Sequence, residues 1–343
     1  MHTIRYGIIG CGHIGKRHAQ MITENSESSL NALCDILPAT ALHLPPNDIP
    51  FYPSIDTLVN ADDVDVINIC TPNGWHAEHA IKSLEHGKHV VVEKPMALRK
   101  SDGEKMIAAA KKNNKKIFCV MQNRFSPPAQ WIKDVIQKNI LGKIYMVQIN
   151  CFWNRDERYY SGRNWHGTAD LDGGTLYTQF SHFIDTMAWL LGDIENIQAQ
   201  FSDFNHQHLT AFEDSGDIIF NFRNGGMGSI HYSSSVYDKN FESSLRIIAE
   251  NGTIAIGGQY MNEVTTCHIK NYSMPGLPPT NAPNQYGAYT GSAANHQYII
   301  QNVADVLLRN APIATTAEEG LLVVDIIERI YQLRPATLIH KKA

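Results

Sequence analysis

Gly10, Gly12 and Gly15 form a Gly-x-Gly-x-x-Gly run directly after the apolar stretch Ile4 to Ile9, at the head of a helix-like stretch from Ile14 to Ile22. In that setting Gly10 permits a tight turn, Gly12 lets the backbone approach a diphosphate, and Gly15 lets helix and strand pack closely. His13 and Ile14 lie between the last two glycines, at a helix N-terminus whose unpaired N–H groups and dipole favour an anion. A second apolar run, Leu30 to Cys34, ends at Asp35, twenty residues beyond Gly15. A carboxylate there accepts the ribose hydroxyls of an adenosine and repels a 2′-phosphate. No arginine stands beside it, so the expected cofactor is NAD rather than NADP.

Ligands of such folds bind outside the carboxyl ends of the parallel strands, and three further strand ends carry chemistry. Thr71-Pro72-Asn73 with His76 follows Cys70, Glu93-Lys94-Pro95 follows Val92, and Gln122-Asn123-Arg124 follows Met121. Lys94 stands out among these. An ammonium beside an oxidised nicotinamide has its pKa lowered by the like charge and by desolvation, which equips it for proton traffic. The alternative is a surface lysine in a loop, the commonest setting for this residue.

The elements that position these residues alternate. After Asp35 a Pro-containing stretch leads to a helix-like segment, Ile55 to Asn60. Val64 to Cys70 then reads as a buried strand, and Ala77, Ala80, Ile81 and Leu84 give the next helix its apolar face. The strand Lys88 to Val92, a helix over Ser101 to Asn113 and the strand Ile117 to Met121 complete the series. Alternation of this kind predicts a doubly wound parallel sheet, a Rossmann domain over residues 1–123. Beyond it the pattern changes. A helix starts at Ser126-Pro127-Pro128, then Tyr145, Val147, Ile149, Cys151 and Trp153 alternate with polar neighbours, and two hairpins turn at Asn224-Gly225 and Asn251-Gly252. Residues 124–343 therefore read as an α+β domain with a largely antiparallel, open sheet. Met261 to Ala288 reads as a long loop, and two closing helices, Asn295 to Leu308 and Thr316 to Leu333, are expected to pack back on the first domain.

At 343 residues the chain has room for these two cores, and its net charge of −5 lacks the basic balance of a nucleic-acid binder. The six cysteines are scattered, without a Cys-x-x-Cys pair, and read as buried reduced thiols. No apolar run is long enough to span a bilayer and no signal peptide precedes the first strand, so a cytoplasmic protein is expected. No metal site is expected, because the histidines lack clustered carboxylate or cysteine partners in the sequence.

Gly10-x-Gly12-x-x-Gly15, Thr71-Pro72-x-x-x-His76 and Glu93-Lys94-Pro95, in this order, resemble the glucose–fructose oxidoreductase/inositol dehydrogenase (Gfo/Idh/MocA) family over essentially the whole chain. The resemblance implies an NAD(P)-linked sugar oxidoreductase in which Lys94 manages the substrate hydroxyl proton. It also implies a histidine from the second domain. Leu176, Phe180, Phe183, Ile184, Met187 and Leu190 make an apolar helical face, and His182 shares a side of that helix with Thr178 and Asp185. A neutral imidazole is the ordinary base for a secondary alcohol. Many members carry an aspartate where this chain has Thr178, so the usual Asp–His pair is missing and Asp185 is the substitute for orienting the ring.

The block from Phe152 through Trp153, Arg155, Tyr159, Tyr160, Trp165 and His166 to Gly174 joins the sheet to this helix and is expected to overhang the substrate. Its aromatics suit stacking on a sugar or base, or an oligomer interface. Arg124, Arg155, Arg158 and Arg163 suit phosphates or a carboxylate. With Gln179-x-x-His182, the block resembles the branch that oxidises UDP-N-acetyl-2-amino-2-deoxyglucuronate at C3 in bacterial surface-polysaccharide synthesis. His166 and Thr178 depart from that branch, whose members often carry Trp-Arg-Gly-Thr and an Asn–Gln pair at those places. The expected cofactor contacts are Gly10, Gly12, His13, Ile14, Gly15, Asp35, Thr71, Pro72, His76, Glu93, Lys94, Gln122 and Trp165. The expected substrate contacts are Lys94, Arg124, Arg155, Tyr160, Arg163, Thr178, Gln179 and His182, with Lys94 and His182 catalytic. Two other readings stay open, a dehydrogenase of a free sugar or inositol and a non-catalytic NAD-binding regulator. The open sheet predicts a homo-oligomer, a tetramer or a dimer.

Overall fold

The computed structural model describes residues 3–44, 48–161, 165–287 and 289–338. Two compact units emerge, residues 1–121 with 296–324, and residues 122–295 with 325–343. The division falls between Met121 and Gln122, where the sequence places it after Asn123.

The first unit holds a six-stranded parallel sheet of β1 (Ile4–Ile9), β2 (Ser28–Cys34), β3 (Phe51–Tyr52), β4 (Val66–Ile69), β5 (His89–Val92) and β6 (Ile117–Cys119), in the order β3-β2-β1-β4-β5-β6. β4 is buried along its whole length, the mark of a strand covered on both faces, and so its residues read as one apolar run. The connecting helices are α1 (His13–Glu24), α2 (Ile55–Leu58), α3 (His76–Glu85) and α4 (Lys100–Lys112). Strand order reverses between β1 and β4, so the glycine loop after β1 and the Thr71 loop after β4 flank the switch point where such sheets bind ligands. The helix His296–Arg309 lies against α1, where Asn25 donates to the Gln301 carboxamide at 2.9 Å.

The second unit is built on seven strands: β7 (Ile144–Phe152), β8 (Ile194–Ser202), β9 (Ser215–Phe222), β10 (Met227–Ser233), β11 (Glu242–Ala249), β12 (Gly252–Gly257) and β13 (Glu263–Ile269). Their order is β13-β12-β11-β7-β10-β9-β8, and every neighbouring pair is antiparallel except β7 with β10. Alternation decides the faces: Ile218, Phe220, Phe222, Ile230 and Tyr232 are buried while Ile219, Asn221 and Met227 between them are exposed. Behind the buried face stand α5 (Pro127–Gln137) and α7 (Ser181–Leu191), with the one-turn α6 (Glu157–Tyr160) between them in sequence. Trp153, just past β7, meets Phe180 and Phe183 edge to face at 5.7 and 5.5 Å. The expected long loop from Met261 is corrected here. Glu263–Ile269 is an edge strand paired with β12, and Pro283–Gln285 pairs with Thr290–Ala293. The β-branched Val264, Thr265, Thr266 and Ile269 favour the strand, but a half-exposed edge lacks the apolar alternation that would announce it.

Five cysteines are buried, Cys267 is half-buried, and all six are free. No helix among the described residues is long and apolar enough to cross a membrane.

Candidate active site

The glycine loop assigns its three glycines distinct jobs. Gly10 has φ +89°, and a Cβ on it would lie 2.6 Å from the Cys70 carbonyl oxygen. A Cβ on Gly15 would run into the Gly10 carbonyl, while one on Gly12 would meet nothing within 4 Å. So the first and third glycines permit close packing of loop, helix and β4, and the second leaves a bare cradle. α1 begins at His13 with Gly12 as its cap, which offers the first-turn N–H groups no side-chain acceptor, and that turn carries no acidic residue. Such a terminus suits a diphosphate.

Asp35 closes the same site at the end of β2. Its Oδ2 accepts from the Cys11 N–H at 2.8 Å and its Oδ1 from the Leu37 N–H at 2.9 Å. Each oxygen keeps a second lone pair for a ribose hydroxyl. The residues therefore fit NAD, whose nicotinamide, when bound, is the hydride acceptor. Asp35→Asn keeps an acceptor for the backbone and removes the charge. By calorimetry it is expected to weaken NAD binding about tenfold and to narrow the preference over NADP.

His76 and Glu93, expected as cofactor contacts, are buried and engaged by the protein. His76 places Nδ1 2.7 Å from the Pro95 carbonyl oxygen and Nε2 2.8 Å from that of Thr71. Burial pushes its pKa below the usual value against the pull of these carbonyls, so the neutral ring donates to one at a time and staples the two loops. Thr71 itself meets the His79 ring through its hydroxyl at 3.1 Å. Lys94 is half-buried and precedes a cis proline.

The expectation that no histidine has a carboxylate partner is also corrected. Glu93 Oε1 lies 2.9 Å from His18 Nε2 and 3.6 Å from His296 Nε2, and all three residues are buried. Burial opposes ionisation of Glu93, but the His18 hydrogen bond and the neighbouring His296 ring outweigh it and hold the carboxyl well below its usual range. The His18 contact is a direct hydrogen bond, with the Asn68 carboxamide 2.8 Å from the other ring nitrogen. What the cluster holds is the backbone of the catalytic candidate, since Glu93 Oε2 accepts from the Lys94 N–H at 3.2 Å. His18 and His296 carried no sequence signal beyond standing on buried helix faces. Glu93 lies 75 residues from His18 in the chain.

In the second unit the helix that carries His182 opens with a wider turn. Leu176–Phe180 is π-helical and α7 follows from Ser181. Such a turn changes which residues stack above one another and recurs at functional sites. Accordingly Thr178, four residues before His182, gives its hydroxyl to the Asp172 carboxylate, whose other oxygen accepts from the Gly167 N–H at 2.6 Å. Asp185, expected to orient the ring, gives both oxygens to Arg124 at 2.9 and 2.5 Å. The Gln122 carboxamide reaches His182 Nε2 at 3.2 Å. Gln122, expected at the cofactor, thus meets the candidate base.

The turn is anchored from behind. Tyr331 accepts from the Leu176 N–H at 2.8 Å and donates to Glu213 at 2.7 Å. The φ of +136° at Gly174 admits that ring, which a Cβ would meet at 2.5 Å. Glu213 is fully buried and also accepts from Tyr232 at 3.0 Å and Arg334 at 2.6 Å.

The expected substrate contacts separate into groups. Arg155 is 1% exposed, donates to Gln179 at 2.6 Å and to the Thr290 carbonyl at 3.1 Å, and lies over the rings of Trp153, Tyr159 and Tyr289. It serves as the centre of an aromatic box, and like Arg124 it is held by protein acceptors. Tyr160 is buried against Tyr159 and His206. His166 stacks on Tyr159 at 4.4 Å, and Trp165 meets the His166 edge at 4.1 Å. Arg163 lies outside the described residues.

The family described as an oxidoreductase family with an NAD-binding Rossmann fold matches residues 4–121, and the Gfo/Idh/MocA C-terminal domain matches residues 129–255. The crystal structure of the WlbA dehydrogenase from Bordetella pertussis, in complex with NADH and UDP-GlcNAcA, is 30% identical over 96% of each chain, with a TM-score of 0.84. The chain belongs to the Gfo/Idh/MocA oxidoreductase family. The WlbA dehydrogenase from Chromobacterium violaceum, also solved with NADH and UDP-GlcNAcA, is 29% identical over 97% of this chain and 94% of that one, with the same TM-score of 0.84. An uncharacterized oxidoreductase of Streptococcus pneumoniae is 29% identical over 219 residues, 63% of this chain and 58% of that protein, so this chain spans less than two thirds of that relative. Membership gives the Gfo/Idh/MocA chain described here its NAD-binding unit and its antiparallel partner unit.

Proposed function

We propose that this chain is an NAD-dependent dehydrogenase that oxidises the C3 hydroxyl of a UDP-linked sugar acid of the UDP-N-acetyl-2-amino-2-deoxyglucuronate type, in surface-polysaccharide synthesis. The observation that carries the reading is the likeness over nearly the whole chain to a dehydrogenase solved with NADH and UDP-GlcNAcA. Gly10, Gly12, Gly15 and Asp35 hold the cofactor. The neutral imidazole of His182 takes the proton from the C3 hydroxyl as the C3–H bond yields its hydride, and the carbonyl forms. Lys94 steadies the negative charge that develops on the oxygen. The product is a 3-keto sugar nucleotide, two hydrogens lighter, with one proton and one hydride accounted for.

A second reading, a free sugar or inositol, draws support from the arginines. Arg124 and Arg155 are engaged by protein acceptors, and Arg158 pairs with Asp156 at 2.7 Å, which leaves fewer cations for a diphosphate. The protein is to be incubated with NAD⁺ and either UDP-N-acetylglucosaminuronate or free sugars and inositol, with products read by mass spectrometry. Loss of two hydrogens from the UDP-sugar alone supports the first reading. Oxidation only of a free sugar supports the second, and turnover of none overturns both.

Self-association through the open sheet face accompanies this proposal. Met146 sits opposite both Met227 and Ile248 in register, Ile219 shares the face, and all four are exposed. Light scattering is expected to give a multiple of the 38.4 kDa chain mass.

A further inference from the structure

The short turn Gln122–Phe125 meets α7 at two points one helical turn apart. Arg124 grips Asp185 with two hydrogen bonds, in a pair that is 3% and 0% exposed. Gln122, itself 3% exposed, places its carboxamide 3.2 Å from His182 Nε2. The turn is itself held, since the Gln122 carbonyl accepts from Asn295 at 3.2 Å and the Asn123 carboxamide oxygen accepts from Ser292 at 2.6 Å. The Gln122 backbone is thus fixed, and the carboxamide nitrogen is the atom turned toward the ring. Its Oε1 has no hydrogen-bond partner among the described residues.

We propose that Gln122 is a positioning residue that sets where the proton resides on the His182 ring. The inference rests on the reading of His182 as the base. A carboxamide presents an N–H₂ on one side and an oxygen on the other. With the N–H₂ toward the ring it donates to Nε2 and blocks that lone pair. Turned over, its oxygen accepts an Nε2–H, and Nδ1 becomes the basic atom. Only the second arrangement survives proton uptake, because the oxygen still accepts from the doubly protonated ring. Each orientation of Gln122 therefore selects one tautomer, the one shown leaves the proton on Nδ1, and the contact persists through proton uptake only when the oxygen turns to the ring. As a neutral partner it raises imidazole basicity less than a carboxylate does.

The other charged groups near α7 are occupied. Asp185 is neutralised by Arg124, Asp172 is held by Thr178 and the Gly167 N–H, and Lys133 of α5 donates to the Trp189 carbonyl. A charge introduced at position 122 then acts on His182 more directly than on any of these.

The test is a histidine-selective ¹⁵N NMR titration of the NAD-loaded protein, with the His182 signals assigned by their loss in His182→Asn. In Gln122→Glu the His182 midpoint is expected to rise by about one pH unit or more, and in Gln122→Leu to fall, with the ring nitrogens losing their single tautomer. Midpoints and tautomers unchanged within about 0.3 units in Gln122→Glu would overturn the proposal, whatever its effect on rate. Gln122→Glu is nearly isosteric, so the test stands even where Gln122→Leu fails to fold. The titration uses no substrate, so it stands or falls separately from the base reading, which fails if His182→Asn keeps its turnover.

Discussion

His182→Asn and Lys94→Ala are each expected to lower kcat by about 10²-fold or more, the size that follows when a positioned base or charge partner is removed from a proton transfer. Asparagine keeps a polar side chain but has no basic nitrogen, so the loss reports on proton abstraction. NAD affinity is expected to stay near the parent value in His182→Asn, because the glycine loop and Asp35 belong to the other unit. Lys94→Ala keeps the backbone N–H that Glu93 accepts at 3.2 Å, so the anchor survives and only the ammonium is lost. Product formation from NAD⁺ and the active sugar, followed by mass spectrometry, measures both rates. Near-parent turnover in both variants removes these residues from the mechanism.

Arg334→Met is the substitution with the largest expected effect on stability. It strands the fully buried Glu213 with only the hydroxyls of Tyr232 and Tyr331, and breaking a buried pair by removing one partner costs about 3–5 kcal/mol. Burial already raises the Glu213 pKa above 4.5, against the opposing pull of Arg334. A folded-state pKa above the unfolded one means that the folded chain binds more protons between the two values. Stability conferred by the protonated carboxyl is then present at low pH and lost as pH rises. Without Arg334 the folded pKa climbs further, so the deficit in melting temperature is expected to be larger at pH 8 than at pH 5. An equal deficit at both would show that Glu213 is not the source. Because Tyr331 ties Glu213 to the Leu176 N–H, the same variant is expected to loosen the turn before His182.

Much of the cofactor half was legible because its signals are local. The turn at Gly10, the bare cradle at Gly12 and the close approach at Gly15 follow from the absence of a side chain at fixed spacings. Asp35 sits where a strand end puts it, α4 falls within one residue of its expected bounds and α5 starts where expected, because helical periodicity and a proline start are short-range patterns. The edge strand Glu263–Ile269 escaped because an exposed edge has no apolar alternation to read. Arg124 and Arg155 were legible as cations, but their acceptors were not: Arg124 and Asp185 lie 61 residues apart, and Arg155 and Gln179 lie 24 apart.

The sequence by itself determined the two sheet types, the glycine loop, and the candidacy of Asp35, Lys94 and His182. Only the tertiary structure decided which buried groups share a proton or a charge. His18 and His296 came to Glu93, Arg124 took Asp185 from the ring it was expected to orient, and Gln122 came to His182. Backbone conformation answers to neighbours a few residues away. The state of a buried charge or imidazole instead depends on whichever distant segment folds over it, because in a dry interior an unpaired polar group costs too much to leave alone.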